Sequence, residues 1–204
     1  QKALQNLLDG ASQVSLPPAI ECYVGRVRLP KTSDFRAKSL HIWYDYFCCP
    51  QGTTEEAAHN RQLAIDCIPS YTARAFFFVI LCPAVPHNGD GYKLSYATWD
   101  QRGWCRLEHM ARELARDDGF IIKVETATHP SLDWNMHGVG KAPGKGNFSF
   151  EEDRLRVGLV LDKMFWTKLQ NFLEKGNLHG YRFLLNLHHT IFAGVESVAN
   201  MQSL

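Results

Sequence analysis

Apolar residues are arranged along this chain both in uninterrupted runs and at helical spacing. Residues 75–82 form an uninterrupted apolar run, and Phe120–Val124 is a second, shorter apolar segment. Both patterns predict buried strands. Helical spacing predicts helices over Lys2–Asp9, over 54–66 and over 102–116. Because strands and helices alternate, the pattern predicts an α/β domain with a mainly parallel sheet.

Two other segments of the first half are predicted to be strands. The sequence LHIWYDYF at 40–47 is rich in aromatic residues and precedes Pro50, and a further strand is predicted across 20–29. Thr53 or Thr54 is the expected N-cap of the helix over 54–66.

The pattern changes to long helices after residue 148. Leucine and aromatic residues at helical spacing predict one helix up to Gly176-Asn177 and a second over 178–198. The short connection predicts an antiparallel helical hairpin. We therefore divide the chain into an α/β domain, 1–147, and a helical extension, 148–204. The aromatic stripe of this hairpin is wider than one hairpin can bury, so part of it must pack on the α/β domain or on another protein.

Composition excludes several classes of function. The 204 residues are 45% hydrophobic and carry 22 Lys and Arg against 21 Asp and Glu, a formal net charge of +1. A chain with this balance has no electrostatic footprint for nucleic acid or an anionic membrane. Its longest apolar run is also far shorter than the roughly 20 residues of a membrane span.

The six cysteines predict reduced thiols. They form no CxxC motif, and the sequence shows no motif for a zinc site or another metal site. The first residues also show no signal-peptide pattern. We expect an intracellular protein and not a secreted one. Its compartment would be the cytoplasm or an organelle, for example a plastid.

Candidate ligand-binding residues follow the predicted strands. Ligands of open parallel sheets bind beyond the carboxyl ends of the strands. Asp45 lies near the end of the strand predicted over 40–47, and the helix over 102–116 carries Trp104 and Glu108. Trp104 and Glu108 are four residues apart and share one helix face. An aromatic plane beside a carboxylate could hold a ribose with its stacked base.

These residues also carry a resemblance to known families. The segment 43–51 resembles the W-x-D-x-x-C-x-x-Q signature of the heterokaryon-incompatibility (HET) domain, and Ser95-Tyr96-Ala97 with Trp104-Cys105-x-x-Glu108 resembles a segment of Toll/interleukin-receptor (TIR) domains. The two families share a flavodoxin-like fold, and the resemblance covers about residues 1–125. Residues 148–204 resemble the helical tail of TIR/HET-like proteins in algal lineages. The resemblance implies that residue 1 lies in the helix after the first, central strand of the TIR fold, so we expect that strand either to be absent or to precede residue 1.

The resemblance implies two kinds of function. TIR domains assemble through protein–protein contacts, and a subset cleaves NAD to nicotinamide and an ADP-ribose product. In that subset the glutamate equivalent to Glu108 is catalytic, and Asp45, Tyr96, Arg102 and Trp104 would line the pocket. A carboxylate can stabilise the oxocarbenium-like ribosyl centre that forms when nicotinamide leaves. NAD would be a substrate, and no cofactor is implied.

Three of these residues also have a structural interpretation. Glu108 could form a surface ion pair with Arg112, Asp45 could cap the following helix, and Trp104 could be a packing residue. We favour an interaction or scaffold module, an accessory subunit of a larger protein assembly. It would contact other subunits through the hairpin and loop 138–147, or would self-associate. NAD cleavage by Glu108 is the alternative.

Overall fold

The computed structural model describes residues 1–24, 27–36, 39–87, 89, 91–117, 119–133 and 141–195. The described residues form ten α-helices, a short 3₁₀ helix at Pro143–Lys145 and five strands. The helices are α1 Lys2–Asp9, α2 Pro18–Val24, α3 Thr32–Arg36, α4 Asp45–Cys48, α5 Glu55–Arg74, α6 Tyr96–Asp100, α7 Gly103–Glu113, α8 Glu152–Glu174, α9 Leu178–Asn186 and α10 His188–Ile191. The strands are β1 Phe77–Leu81, β2 Val85–Pro86, β3 Lys93–Leu94, β4 Phe120–Val124 and β5 Pro130–Leu132.

The central sheet is small and mixed. Its order is β1-β4-β5, with β1 parallel to β4 and β5 antiparallel to β4, while β2 and β3 form a separate antiparallel pair. The strands predicted over 75–82 and 120–124 are confirmed as β1 and β4. The mixed α/β class is also confirmed, but the expectation of a mainly parallel sheet is wrong for the described strands, because β5 returns beside β4 after a short turn.

Two predicted strands are helical or irregular instead. Residues 20–29 were expected to be extended, but α2 begins at Pro18, a residue whose fixed φ suits the first position of a helix. Residues 39–44 form no strand, and the chain then turns into α4, where the Cys48 N–H donates to the Tyr44 carbonyl over 2.8 Å. An apolar alternation is compatible with a strand, yet a strand forms only where a neighbour accepts its backbone hydrogen bonds.

The predicted helices are confirmed, but except for α1 they begin or end at residues other than those predicted. Helix α1 matches its predicted bounds and ends at Gly10, whose φ of +78° is the left-handed conformation that glycine adopts without strain. Thr54 caps α5, since its Oγ1 accepts from the Ala57 N–H over 3.2 Å. Helix α5 continues through Pro69 to Arg74, well beyond the predicted end. The helix predicted over 178–198 is interrupted at Leu187, and residues 196–198 lie outside the described residues.

Three apolar clusters hold these elements together. One face of the sheet packs against the N-terminal region, where Leu7 and Phe35 meet Ile122. The other face, with Ile80 and Ile121, packs against α6. The largest cluster joins α7 to α8, α9 and α10. Its buried members are Leu107, Met110, Leu114, Val157, Leu161, Phe165, Leu169, Leu184, Ile191 and Phe192. The helical extension therefore shares a core with α7, as the width of its aromatic stripe led us to expect.

Candidate functional site

A buried polar network lies between the sheet and helices α6 and α7. Tyr96, the first residue of α6, donates its hydroxyl proton to Asp133 Oδ2 over 2.7 Å and accepts from Lys141 Nζ over 2.6 Å. The Nζ atoms of Lys123 and Lys141 each lie 4.8 Å from the centre of the Tyr96 ring. Lys141 Nζ is hydrogen-bonded to the hydroxyl and lies beyond that end of the ring. Lys123 is held over the ring, where the ring quadrupole attracts the cation, so it helps to fix the ring in place.

Asp133 is the centre of this network. It follows β5 directly, and its backbone N–H donates to the Ile121 carbonyl over 2.8 Å, which holds the residue against β4. His109 Nε2 lies 3.0 Å from the same Oδ2 atom that Tyr96 contacts. On its other side, His109 Nδ1 lies 3.4 Å from Glu113 Oε1. The three side chains are only 4% (His109), 8% (Glu113) and 10% (Asp133) exposed, so the two carboxylates meet the histidine almost out of reach of water.

The network sets the protonation of its members. Burial alone would raise the pKa of Asp133, but the hydrogen bond and charge of His109, the Tyr96 hydroxyl and the charge of Lys141 outweigh burial and hold that pKa below its usual value. Burial, followed by the charge and hydrogen bond of Asp133, raises the pKa of Tyr96 far above its usual value. Asp133 is therefore ionised and Tyr96 protonated at neutral pH. The geometry is that of a donor–acceptor network that ties α6, α7 and β5 together.

A cysteine beside this network is not activated as a nucleophile. Burial, reinforced by the charge of Glu125, raises the pKa of the Cys82 thiol to about 11. The thiolate is the nucleophilic form of cysteine, so Cys82 is inert at neutral pH.

The five residues predicted from the family resemblance have separate surroundings. Tyr96 belongs to the buried network. Trp104 packs on the core that α7 shares with α8, and its Nε1–H donates to Asp153 Oδ2 over 3.1 Å. Arg102 is exposed at the start of α7, and Glu108 is half-buried one turn before Arg112. Asp45 is the first residue of α4, and its side chain lies outside the described part of the structure.

Arg112 has a structural role that the sequence did not predict. Its guanidinium donates to the Ala73 carbonyl over 2.8 Å, to the Ala75 carbonyl over 2.7 Å and to the Asp117 carbonyl. These carbonyls belong to the last turn of α5, to the residue after α5 and to the connection before β4. Arg112 is buried, so its guanidinium does not lie at the surface.

Sequence reasoning missed His109, Glu113, Asp133 and Lys141. The spacing of His109 and Glu113, four residues apart on one helix, was the only available signal. Lys141 belongs to the segment predicted to contact a partner. Residues 138–140 of that segment lie outside the described residues, whereas the 3₁₀ helix at Pro143–Lys145 packs against α7 and α8 of the same chain.

Two cavities are present whose linings include none of the residues predicted to bind NAD. One, of about 290 Å³, is lined by Ala142, Lys145, His189, Thr190 and Ala193. The other is lined by residues of α1 and Gln1. Within the described ranges, His, Cys, Asp and Glu side chains form no group of three or more that could hold a metal ion. The described helices also include none with the length and apolar character needed to span a bilayer.

The outer face of α8 is an exposed apolar surface. Four large side chains lie along it, each between 44% and 51% exposed, and we call them the α8 stripe: Leu155, Leu159, Trp166 and Leu173. The opposite side of α8 carries the buried residues Leu161 and Phe165. Helix α8 is therefore apolar on two sides, of which one is buried in the described structure. Four large apolar side chains exposed on one helix face exceed the single, scattered ones that are normal on protein surfaces, and exposed apolar patches mark interaction sites.

Comparison with known proteins found no match: no protein-family model matches the chain, and neither a curated protein nor a solved structure shows significant similarity to it. The TIR/HET resemblance thus stays a prediction from short motifs.

Proposed function

We propose that this chain is a protein–protein interaction module that binds a helix of another subunit along the α8 stripe. The observation that carries the proposal is the exposure of about half of each of four large apolar side chains on one helix face. Burying apolar surface stabilises a complex by roughly 25 cal/mol per Å², so this face gains free energy when a partner covers it. The enrichment of large aliphatic and aromatic side chains fits the centre of an interface.

The spacing of the α8 stripe indicates what kind of partner fits it. Leu159, Trp166 and Leu173 are seven residues apart, and Leu155 precedes Leu159 by four. The side chains therefore recur on one face of the helix at the heptad interval, which is the repeat of helices that pack side by side in coiled coils. With a rise of about 1.5 Å per residue, the stripe is roughly 27 Å long, which suits a partner helix of about five turns.

Polar residues beside the stripe refine the choice of partner. Asp162 Oδ1 accepts from Trp166 Nε1 over 3.2 Å, which fixes the orientation of the indole. Arg156 and Lys163 are exposed along one side of the stripe. A partner helix with leucines at heptad spacing and acidic residues on the facing side is complementary to this arrangement.

The fold assignment and the compartment belong to the same proposal. The parallel pair of β1 and β4, connected through helices α6 and α7, supports a flavodoxin-like, TIR/HET-like arrangement. Among the described residues no cysteine takes part in a disulfide, which supports an intracellular chain. The interaction function is favoured over NAD cleavage because Tyr96, predicted to line a nucleotide pocket, is held by Asp133 and Lys141.

A peptide-display selection tests the proposed surface. We expect a library of helical peptides with heptad leucines and acidic flanks to yield binders. Trp166→Lys should weaken their binding about 30-fold or more, because truncating a central tryptophan anchor costs about 2 kcal/mol or more. The matched control is Leu63→Lys, which changes a leucine of α5 that is 51% exposed. Equal loss with both variants, or no loss with Trp166→Lys, contradicts the proposal.

The proposal also predicts the outcome of an NAD assay. We expect the purified protein to release no nicotinamide from NAD above the level of Glu108→Gln, since the functional surface is α8 and not a nucleotide pocket. Chromatographic quantification of nicotinamide at high protein concentration measures this. Release by the wild type that disappears in Glu108→Gln would replace our proposal by the catalytic alternative.

A further inference from the structure

Strand β1 is an apolar strand at the edge of the sheet. It has β4 on one side, and no other described strand pairs with its second side. All five of its residues are apolar, a composition typical of strands that lie inside a sheet. An edge strand presents unpaired N–H and C=O groups, and proteins usually protect such edges with charges, proline or a covering element. No charged side chain interrupts β1.

One face of this edge lacks cover at its carboxyl end. Residues 77, 79 and 81 alternate onto the same face of the strand. Phe77 is covered by the Phe35 ring, with the ring centres 4.2 Å apart, but Val79 is 37% exposed and Leu81 50% exposed. On the opposite face Ile80 is buried. Among the described residues, therefore, β1 has an edge that no strand pairs with and a partly exposed face beside it, as the addition of one more strand requires.

The chain itself contains a segment with the properties of the absent strand. Residues 39–44 form no regular structure, yet Leu40, Ile42 and Tyr44 alternate at the two-residue period of a strand and are between 41% and 65% exposed. β-branched and aromatic residues such as Ile42 and Tyr44 favour strands. Trp43 stacks on Tyr71 of α5, with ring centres 5.4 Å apart. This contact holds the segment against its own α5 and not along its own β1.

We propose that residues 39–44 of a second copy of this chain add as a strand to the free edge of β1. Main-chain hydrogen bonds would satisfy the open edge, and alternate apolar side chains would cover Val79 and Leu81, as in other cases of strand addition. A two-fold arrangement makes the contact twice, because each copy offers both the segment and the edge. The formal net charge of only +1 gives little repulsion between copies. This interface is independent of the α8 stripe, so either proposal can fail without the other.

Sedimentation over a wide concentration range tests the inference. We expect the wild type to dimerise, and we expect Val79→Lys and Ile42→Lys each to raise the dimer dissociation constant about tenfold or more, since a lysine blocks strand addition. Leu63→Lys is the matched control and should dimerise like the wild type. Far-UV circular dichroism checks the fold, and Leu81→Lys replaces Val79→Lys if the latter does not fold.

Mixing the two variants gives the decisive observation. A Val79→Lys copy keeps an intact segment 39–44 and an Ile42→Lys copy keeps an intact β1 edge, so the mixture has one complete contact where each variant alone has none. We expect the mixture to associate more tightly than either variant by itself. A monomeric wild type, a dimer that neither lysine weakens, or a loss that mixing does not restore each overturns the inference. A dimer that forms through the α8 stripe would instead be weakened by Trp166→Lys.

Discussion

Replacing Phe165 by alanine is expected to lower the free energy of unfolding by about 3–5 kcal/mol, the cost of a cavity in a packed core. Phe165 is fully buried at the centre of the cluster that joins α7 to the helical extension. Its ring meets those of His188 and Phe192 edge-on, with centres 5.1 Å and 5.4 Å apart. Alanine would remove these contacts together with those to the leucines around them. For a chain of this size the loss corresponds to a melting temperature lower by roughly 6–20 °C.

Urea unfolding followed by fluorescence and by circular dichroism measures this effect. Because Leu107 and Met110 of α7 belong to the same cluster as Phe165, we expect one transition that shifts as a whole. Phe150→Ala, the same truncation at an exposed phenylalanine, is the control and should have little effect. A separate early transition of the helical extension, with the rest unfolding as in the wild type, would show that α7 and the hairpin do not form one cooperative unit.

Replacing Asp133 by alanine is expected to cost about 3–5 kcal/mol, because each buried polar group left without its hydrogen-bond partner costs about 1–3 kcal/mol. The substitution leaves the Tyr96 hydroxyl and His109 Nε2 without their shared acceptor in a site closed to water. It also removes a negative charge near Lys141, whose own ion-pair partner is Asp100, with Nζ and Oδ1 3.2 Å apart. Asp133→Asn keeps an acceptor oxygen and should cost less. Glu174→Ala, which breaks the exposed pair with Arg116, is the control and should cost at most about 1 kcal/mol.

The contribution of Asp133 should depend on pH in a defined direction. Its pKa in the folded protein is below the unfolded value of about 3.9, so around that pH the unfolded chain binds more protons. The stabilisation is therefore complete above the unfolded pKa and is lost as the pH falls from about 3.9 through the folded pKa. We expect the difference in unfolding free energy between the wild type and Asp133→Asn to shrink over this acid range. A difference that is constant with pH would show that the charge of Asp133 contributes nothing.

Local sequence patterns predicted two kinds of element. In one, the stabilising contacts are between residues close in the sequence; in the other, the composition is compatible with only one type of secondary structure. The apolar run that became β1 and the segment that became β4 are long enough and apolar enough to favour strands, although Val79 and Leu81 of β1 stay partly exposed. The spacing in α1 and the cap at Thr54 are also local signals. Residues 39–44 show where this reasoning fails. Their alternation suits a strand, but whether a strand forms depends on an available edge, and the described chain places the segment on α5.

The candidate site was predicted less well than the fold. Tyr96 was predicted to line a nucleotide pocket, whereas its buried partners were not predicted. Asp133 and Lys141 lie 37 and 45 residues further along the chain and share no motif with it. Trp104 was predicted either to bind a ligand or to pack, and the structure places it against the α8 core. Arg112 was expected at the surface because arginine is rarely buried, and three backbone carbonyls explain the exception.

The sequence by itself determined that this chain builds a mixed α/β structure with a long apolar helix after residue 148, since hydrophobic period and length are local properties. It also determined that some of that helix must face another surface, because its apolar side chains exceed what one hairpin can bury. Only the tertiary structure decided which of them face α7 and which form the exposed α8 stripe, and only it brought Tyr96, His109 and Asp133 together. Those outcomes depend on contacts between residues far apart in the chain. Such contacts contribute stabilising free energy only once the whole fold has formed.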